Sequence, residues 1–137
     1  MKRTNLFLLI LALVAVLLSA CGSKPATTTK INPVTLEEIE GTKLKRVILT
    51  EKAAQRIDVK TVSVSGKQVP YAAVIYDTDG NTWVYTNPAP LTFVRAQVVI
   101  DRIEGDRVFL SQALEPNDPI VTVGVAEIYG AETGVSK

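Results

Sequence analysis

The side chains able to do chemistry in this 137-residue chain are few: it has no His, one Cys at position 21, and 15 Lys and Arg against 14 Asp and Glu. Asp77-Thr78-Asp79-Gly80-Asn81 has the spacing of the first half of a calcium loop, where alternate side-chain oxygens surround a hard cation. Pro88 stands where that loop needs a bidentate Glu, so the same residues read better as a turn. Asp101, Glu104 and Asp106 offer carboxylates for acid–base work, yet they flank a tight turn with no His or Cys beside them. Glu37, Glu38 and Glu40 read as a solvated acidic face. Tyr76, Trp83 and Tyr85, with Arg95, are the residue types found at binding hot spots and are the candidate partner contacts. Their competing reading is cross-strand core packing. No catalytic residue, metal or cofactor is expected, and a net charge of +1 leaves no basic footprint for nucleic acid.

Cys21 is a different kind of candidate because of what precedes it. Lys2 and Arg3 are followed by 13 unbroken apolar residues, Leu6 to Leu18, and then by Ser19-Ala20-Cys21. A helix of that length falls short of a bilayer core, which needs roughly 20 residues. The run therefore reads as the apolar region of a signal peptide covering residues 1–20. Leu18-Ser19-Ala20-Cys21 resembles the bacterial lipoprotein box, which implies lipidation of Cys21 as the first mature residue. An ordinary secretory leader with an unpaired thiol, or a short uncleaved anchor, are the alternatives. No second Cys exists to pair with it.

Residues 21–33 read as a tether, small, polar and punctuated by Pro25 and Pro33. As a flexible coil it spans about 20 Å. Residues 34–137 are then expected to form one mainly β domain, a small β-roll or barrel-like body with one short helix. Lys45 to Leu49 reads as a strand, and Thr50 as the N-cap of a helix over residues 51–57. Residues 59–64 alternate as a further strand. Asp79-Gly80 reads as a two-residue type I′ turn in a hairpin over residues 69–86. That turn sets Tyr76 opposite Trp83, Ile75 opposite Val84 and Val74 opposite Tyr85, with both faces apolar. Asn87 to Pro90 reads as a turn, followed by a long strand, residues 92–100, with Arg95 and Gln97 on its second face. Residues 120–125 are expected as a strand, and the tail from Ala126 as a short irregular cap.

In order along the chain, Val69-Pro70, Ala73-Val74, Asp79-Gly80, Trp83-Val84-Tyr85, Gly105-Asp106-Arg107-Val108, Leu114, Ile120-Val121 and Gly124 resemble a known pattern. It is the membrane-proximal, C-terminal part of the periplasmic adaptors, or membrane fusion proteins, of tripartite efflux pumps. Val47 to Ile57 is similar to the N-terminal segment of the same proteins, which there precedes the lipoyl-like and hairpin domains. Only a few residues around Gly66 separate the two parts here. The resemblance spans most of residues 45–130 and implies the two ends of an adaptor joined directly. It departs at Ala113 and Asn117, where the family commonly has Gly. Its methionine sites for soft metal ions have no counterpart, since the only Met is Met1.

The resemblance implies a non-enzymatic, membrane-anchored lipoprotein in the cell envelope. It would be held through Cys21 on the extracytoplasmic side of a bacterial membrane, inner or outer. As an accessory or truncated adaptor it would dock on an inner-membrane efflux transporter or on a longer adaptor subunit. The alternative from another class is a stand-alone envelope lipoprotein that binds a small molecule or a cell-wall polymer through its aromatic face.

Overall fold

In the computed structural model, which describes residues 32–114 and 118–134, the alternating apolar segments become strands. Along the chain these are β1 (Val34–Glu38), β2 (Lys45–Leu49), α1 (Glu51–Arg56), β3 (Lys60–Val62), β4 (Gln68–Pro70), a 3-10 turn (Tyr71–Ala73) and β5 (Ile75–Tyr76). Then follow β6 (Thr82–Ala89), β7 (Thr92–Val98), β8 (Ile100–Glu104), β9 (Arg107–Leu110), β10 (Ile120–Val123) and α2 (Val125–Thr133). The central strands β6 and β10 have consecutive buried residues, while β1, β3 and β8 are mostly exposed. The leader, Cys21 and the tether up to Ile31 lie outside the described residues, as do residues 115–117. No helix among the described residues is long and apolar enough to cross a membrane.

The larger sheet has the order β1-β2-β7-β6-β10-β3, with β5 also paired to β6, and the smaller has the order β4-β9-β8. The fold is mainly β, as the alternation predicts. It is not a closed barrel, because β1 and β3 end the path of the larger sheet without pairing to each other. Val69, Val84, Val98, Val108, Leu110 and Ile120 form one core between the two sheets. Val47, Leu49, Tyr85, Phe93, Val121 and Ile128 form a second core on the other face of the larger sheet, with α1 and α2 packed against it. The larger sheet is thus the middle layer of three, which is why β6 and β10 carry apolar residues at consecutive positions.

Local chemistry sets the element ends. The Thr50 hydroxyl accepts from the Ala53 N–H at 3.2 Å, starting α1 where the sequence places it. Gly124 has φ +85°, and a Cβ there would meet Val59 Cγ2 at 3.2 Å and Ile57 Cδ1 at 3.3 Å, so any other residue takes a strained backbone and must push aside the side chains that follow α1.

Four expectations are corrected. In the β5–β6 hairpin, Ile75 opposes Trp83 and Tyr76 opposes Thr82, one residue out of the expected register. The cause is Asp77: its Oδ1 accepts from the N–H groups of Asp79 (3.0 Å) and Asn81 (2.8 Å), and its own N–H donates to Asn81 O (3.0 Å). These bonds close a three-residue loop with Gly80 at φ +82°, in place of the two-residue turn. A one-residue slip sends Tyr76 to the opposite face from Trp83. The expected turn at Asn87–Pro90 lies later: β6 runs to Ala89 through an irregularity, and Leu91 takes φ +58°. The expected strand over residues 92–100 divides at Val99 into β7 and β8, which belong to different sheets. Finally, the tail is the helix α2, a second helix where the sequence suggests one.

Candidate functional site

Tyr85 on β6 and Arg95 on β7 are a direct cross-strand pair, and α2 lies over them. The Tyr85 hydroxyl donates to Oε2 of Glu132, on α2. Arg95 Nε lies 2.9 Å from that same oxygen, with 13% of the Arg95 side chain and 3% of the Glu132 side chain exposed. The guanidinium carbon stands 4.9 Å from the Trp83 ring centre and 5.5 Å from that of Tyr129. The Nε–H is buried and not aimed for a hydrogen bond. Charge and ring faces hold Arg95 in place, not an aligned bond. Burial, and then the neighbouring Glu132, push the Tyr85 hydroxyl far above its ordinary pKa, so it stays a neutral donor.

Of the two readings of these residues, partner contact and cross-strand packing, this arrangement puts Tyr85 and Arg95 in packing. Tyr85 is fully buried, and Arg95 lies under the helix. Trp83 is half-buried on the same face and donates its Nε1–H to Asp77 Oδ2 at 2.8 Å. Of the four residues, Tyr76 alone is open to solvent, at 50% exposure. The cluster pins α2 to the sheet, with Glu132 buried beneath it. Glu132 and Tyr129, which complete it, have no signal in the sequence, because their helix reads as a tail there.

Three of the other candidate carboxylates, Asp77, Asp101 and Glu104, are likewise engaged. Asp77 accepts from Asp79, Asn81 and Trp83, leaving the half calcium loop as a turn. The Trp83 bond leads the effects that hold the Asp77 carboxyl below its ordinary pKa. Arg102 sits between Asp101 (3.1 Å) and Glu104 (2.6 Å), and Asp106 is almost wholly exposed. Among the described residues, no group of three or more His, Cys, Asp or Glu is placed to hold a metal ion.

What remains is a surface. Tyr76, Val99 and Ile103 are exposed large apolar side chains, and with Asn81, Thr82 and Gln97 they line an open groove of about 400 Å³. A second groove of about 240 Å³ continues from Gln97 and Val99 toward Ser111 and Leu114. The β5–β6 loop and the β7–β8 break create this face: the slip in register turns Tyr76 outward, and the break at Val99 leaves that side chain unpacked. Its content is three apolar contacts with amide and hydroxyl groups at the rim, a composition suited to binding. Cys21 lies outside the described residues. Comparison with protein-family models, with curated proteins and with solved structures finds no match to this chain.

Proposed function

We propose that this protein is a lipid-anchored, non-enzymatic docking module, an accessory or shortened adaptor acting on the extracytoplasmic face of an efflux transporter. The observation that carries the reading is a pattern of strand pairing. β2 pairs with β7, and β3 with β10, so the two segments that resemble the ends of an adaptor share one sheet. The chain crosses from one segment to the other through residues 63–67, mostly exposed, where Gly66 takes φ +73° with nothing near it. Loop-closure cost changes slowly with length, so a body of that kind can accept a long or a short connection between its two halves.

The mechanism is binding at high local concentration. A lipidated Cys21 confines the domain to a plane beside its partner, and the short tether keeps it within about 20 Å of the membrane surface. The exposed side chains Tyr76 and Val99 supply the docking face. The reading of a stand-alone lipoprotein that binds ligands through aromatics loses its platform, since Tyr85 is buried and Trp83 is engaged with Asp77.

The test is photocrosslinking in native membranes from an analogue placed at Val99, together with labelled palmitate. Recovery of an export-transporter subunit, with label on the wild-type chain and none on Cys21→Ser, is the expected result. Recovery of no transporter, together with specific retention of a glycan or small molecule, would overturn it in favour of the stand-alone reading. An unlabelled wild-type chain would remove the anchor.

A further inference from the structure

The smaller sheet ends in an open strand. Among the described residues β8 pairs with β9 on one side and with no strand on the other, and Asp101, Arg102, Ile103 and Glu104 are all exposed. A two-residue turn, Gly105-Asp106, joins β8 to β9, and the residues that close it are Glu104 and Arg107. Hydrogen-bonded and non-bonded pairs alternate along an antiparallel ladder. Counting back from the turn, Ile103 and Val108 form a non-bonded pair, so the N–H and C=O of Ile103 point away from β9 into solvent.

Charged residues on an edge ordinarily discourage pairing. Here their order selects one partner and one register. If an antiparallel copy of β8 places Ile103 opposite Ile103, Arg102 falls opposite Glu104 on both sides of the centre. A shift of two residues, the smallest that keeps outward backbone groups facing each other, puts Arg102 opposite Arg102 one way and Glu104 opposite Glu104 the other. Both shifted arrangements oppose like charges. Arg102 is already held, 2.6 Å from Glu104 and 3.8 Å above the Phe109 ring, so pairing has little side-chain freedom left to remove.

We propose that β8 pairs with β8 of a second copy of this chain about a two-fold axis at Ile103, joining two three-stranded sheets into one of six. The two Ile103 residues exchange both backbone hydrogen bonds, and the two grooves lined by Tyr76, Val99 and Ile103 come side by side. This goes beyond the transporter reading and does not depend on it.

The experiment uses the full chain in mild detergent, with the number of chains per particle read by size-exclusion chromatography with light scattering. Wild type is expected as two chains. Arg102→Glu and Glu104→Arg each oppose like charges across the axis and are expected as one chain, while an equal mixture of these two variants returns to two. A single-chain wild type at all concentrations, two-chain particles from either variant alone, or a mixture that stays single would overturn the proposal. Independently, a directly opposed hydrogen-bonded pair has its Cα atoms about 5.5 Å apart, within disulfide range. Oxidised Ile103→Cys should therefore give a reducible dimer beyond any band from wild type, whose only thiol is Cys21. No added dimer would also count against it.

Discussion

Glu132 does at residue scale what the rest of α2 cannot: it neutralises a guanidinium that the fold has taken out of water. Removing one partner of such a pair leaves the other charge buried, and the cost is about 3–5 kcal/mol. Glu132→Ala is therefore expected to lose that much stability in urea titration. Tyr85→Phe, which deletes one neutral donor and leaves the ion pair intact, should lose about 1–3 kcal/mol. If the two variants unfold at the same urea concentration, the ion pair contributes nothing beyond packing. Asp77 gives a second prediction. Its carboxyl titrates lower in the folded chain than the unfolded value of about 3.9. Its contribution is thus complete above the unfolded value and is lost as the pH falls through the folded one. Stability of wild type relative to Asp77→Asn should shrink on acidification below about pH 4 and be flat from pH 5 to 8. A difference that persists unchanged to pH 2 would assign the loop's stability to its backbone alone.

At the scale of elements, the two helices are started by different means. α1 depends on a side-chain cap, and Thr50→Ala should cost about 1 kcal/mol. α2 depends on a close backbone passage at Gly124, where a methyl group meets Val59 and Ile57 at 3.2–3.3 Å and φ is positive. Gly124→Ala should therefore cost well over about 1 kcal/mol, whereas Gly66→Ala, with a similar φ and open space, costs the conformational part alone. Thermal midpoints of the three variants check the order. Equal losses at the two glycines would show that the contacts to α1 relax freely. The same scale explains which local readings succeed. The Thr50 cap and the turn at Gly105-Asp106 are visible in sequence because the groups involved lie within four residues of each other. The β5–β6 register is not, although its cause is equally local. Asp77 replaces a two-residue turn with a three-residue loop by accepting two backbone N–H groups, and the residues Asp-Gly alone do not distinguish the two loops.

For the whole molecule, the consequential fact is that the segments before and after residues 63–67 complete each other's sheet. A flexible Gly/Ser insertion of roughly 30 residues between Ser65 and Gly66 should leave the fold intact at a cost of about 2 kcal/mol in loop closure. Circular dichroism and Trp83 fluorescence of the inserted chain measure this directly. An unfolded product would mean that the tight connection itself holds the halves in place, and the reading of a direct junction would lose its physical basis.

The class of fold, most strand positions and the Thr50 cap are legible in the amino-acid sequence. Period-two alternation and contacts between near neighbours are written in consecutive side chains. Tertiary structure alone decided which candidates face water. Arg95 and Tyr85 are interior because Glu132, 37 residues beyond Arg95 in a helix with no clear apolar stripe, folds back to receive them. Tyr76 is exterior because of a one-residue slip in pairing. Burial of a charge depends on a partner distant in the chain, and the side of a sheet on which a residue lies depends on register. Neither quantity exists until the strands have met.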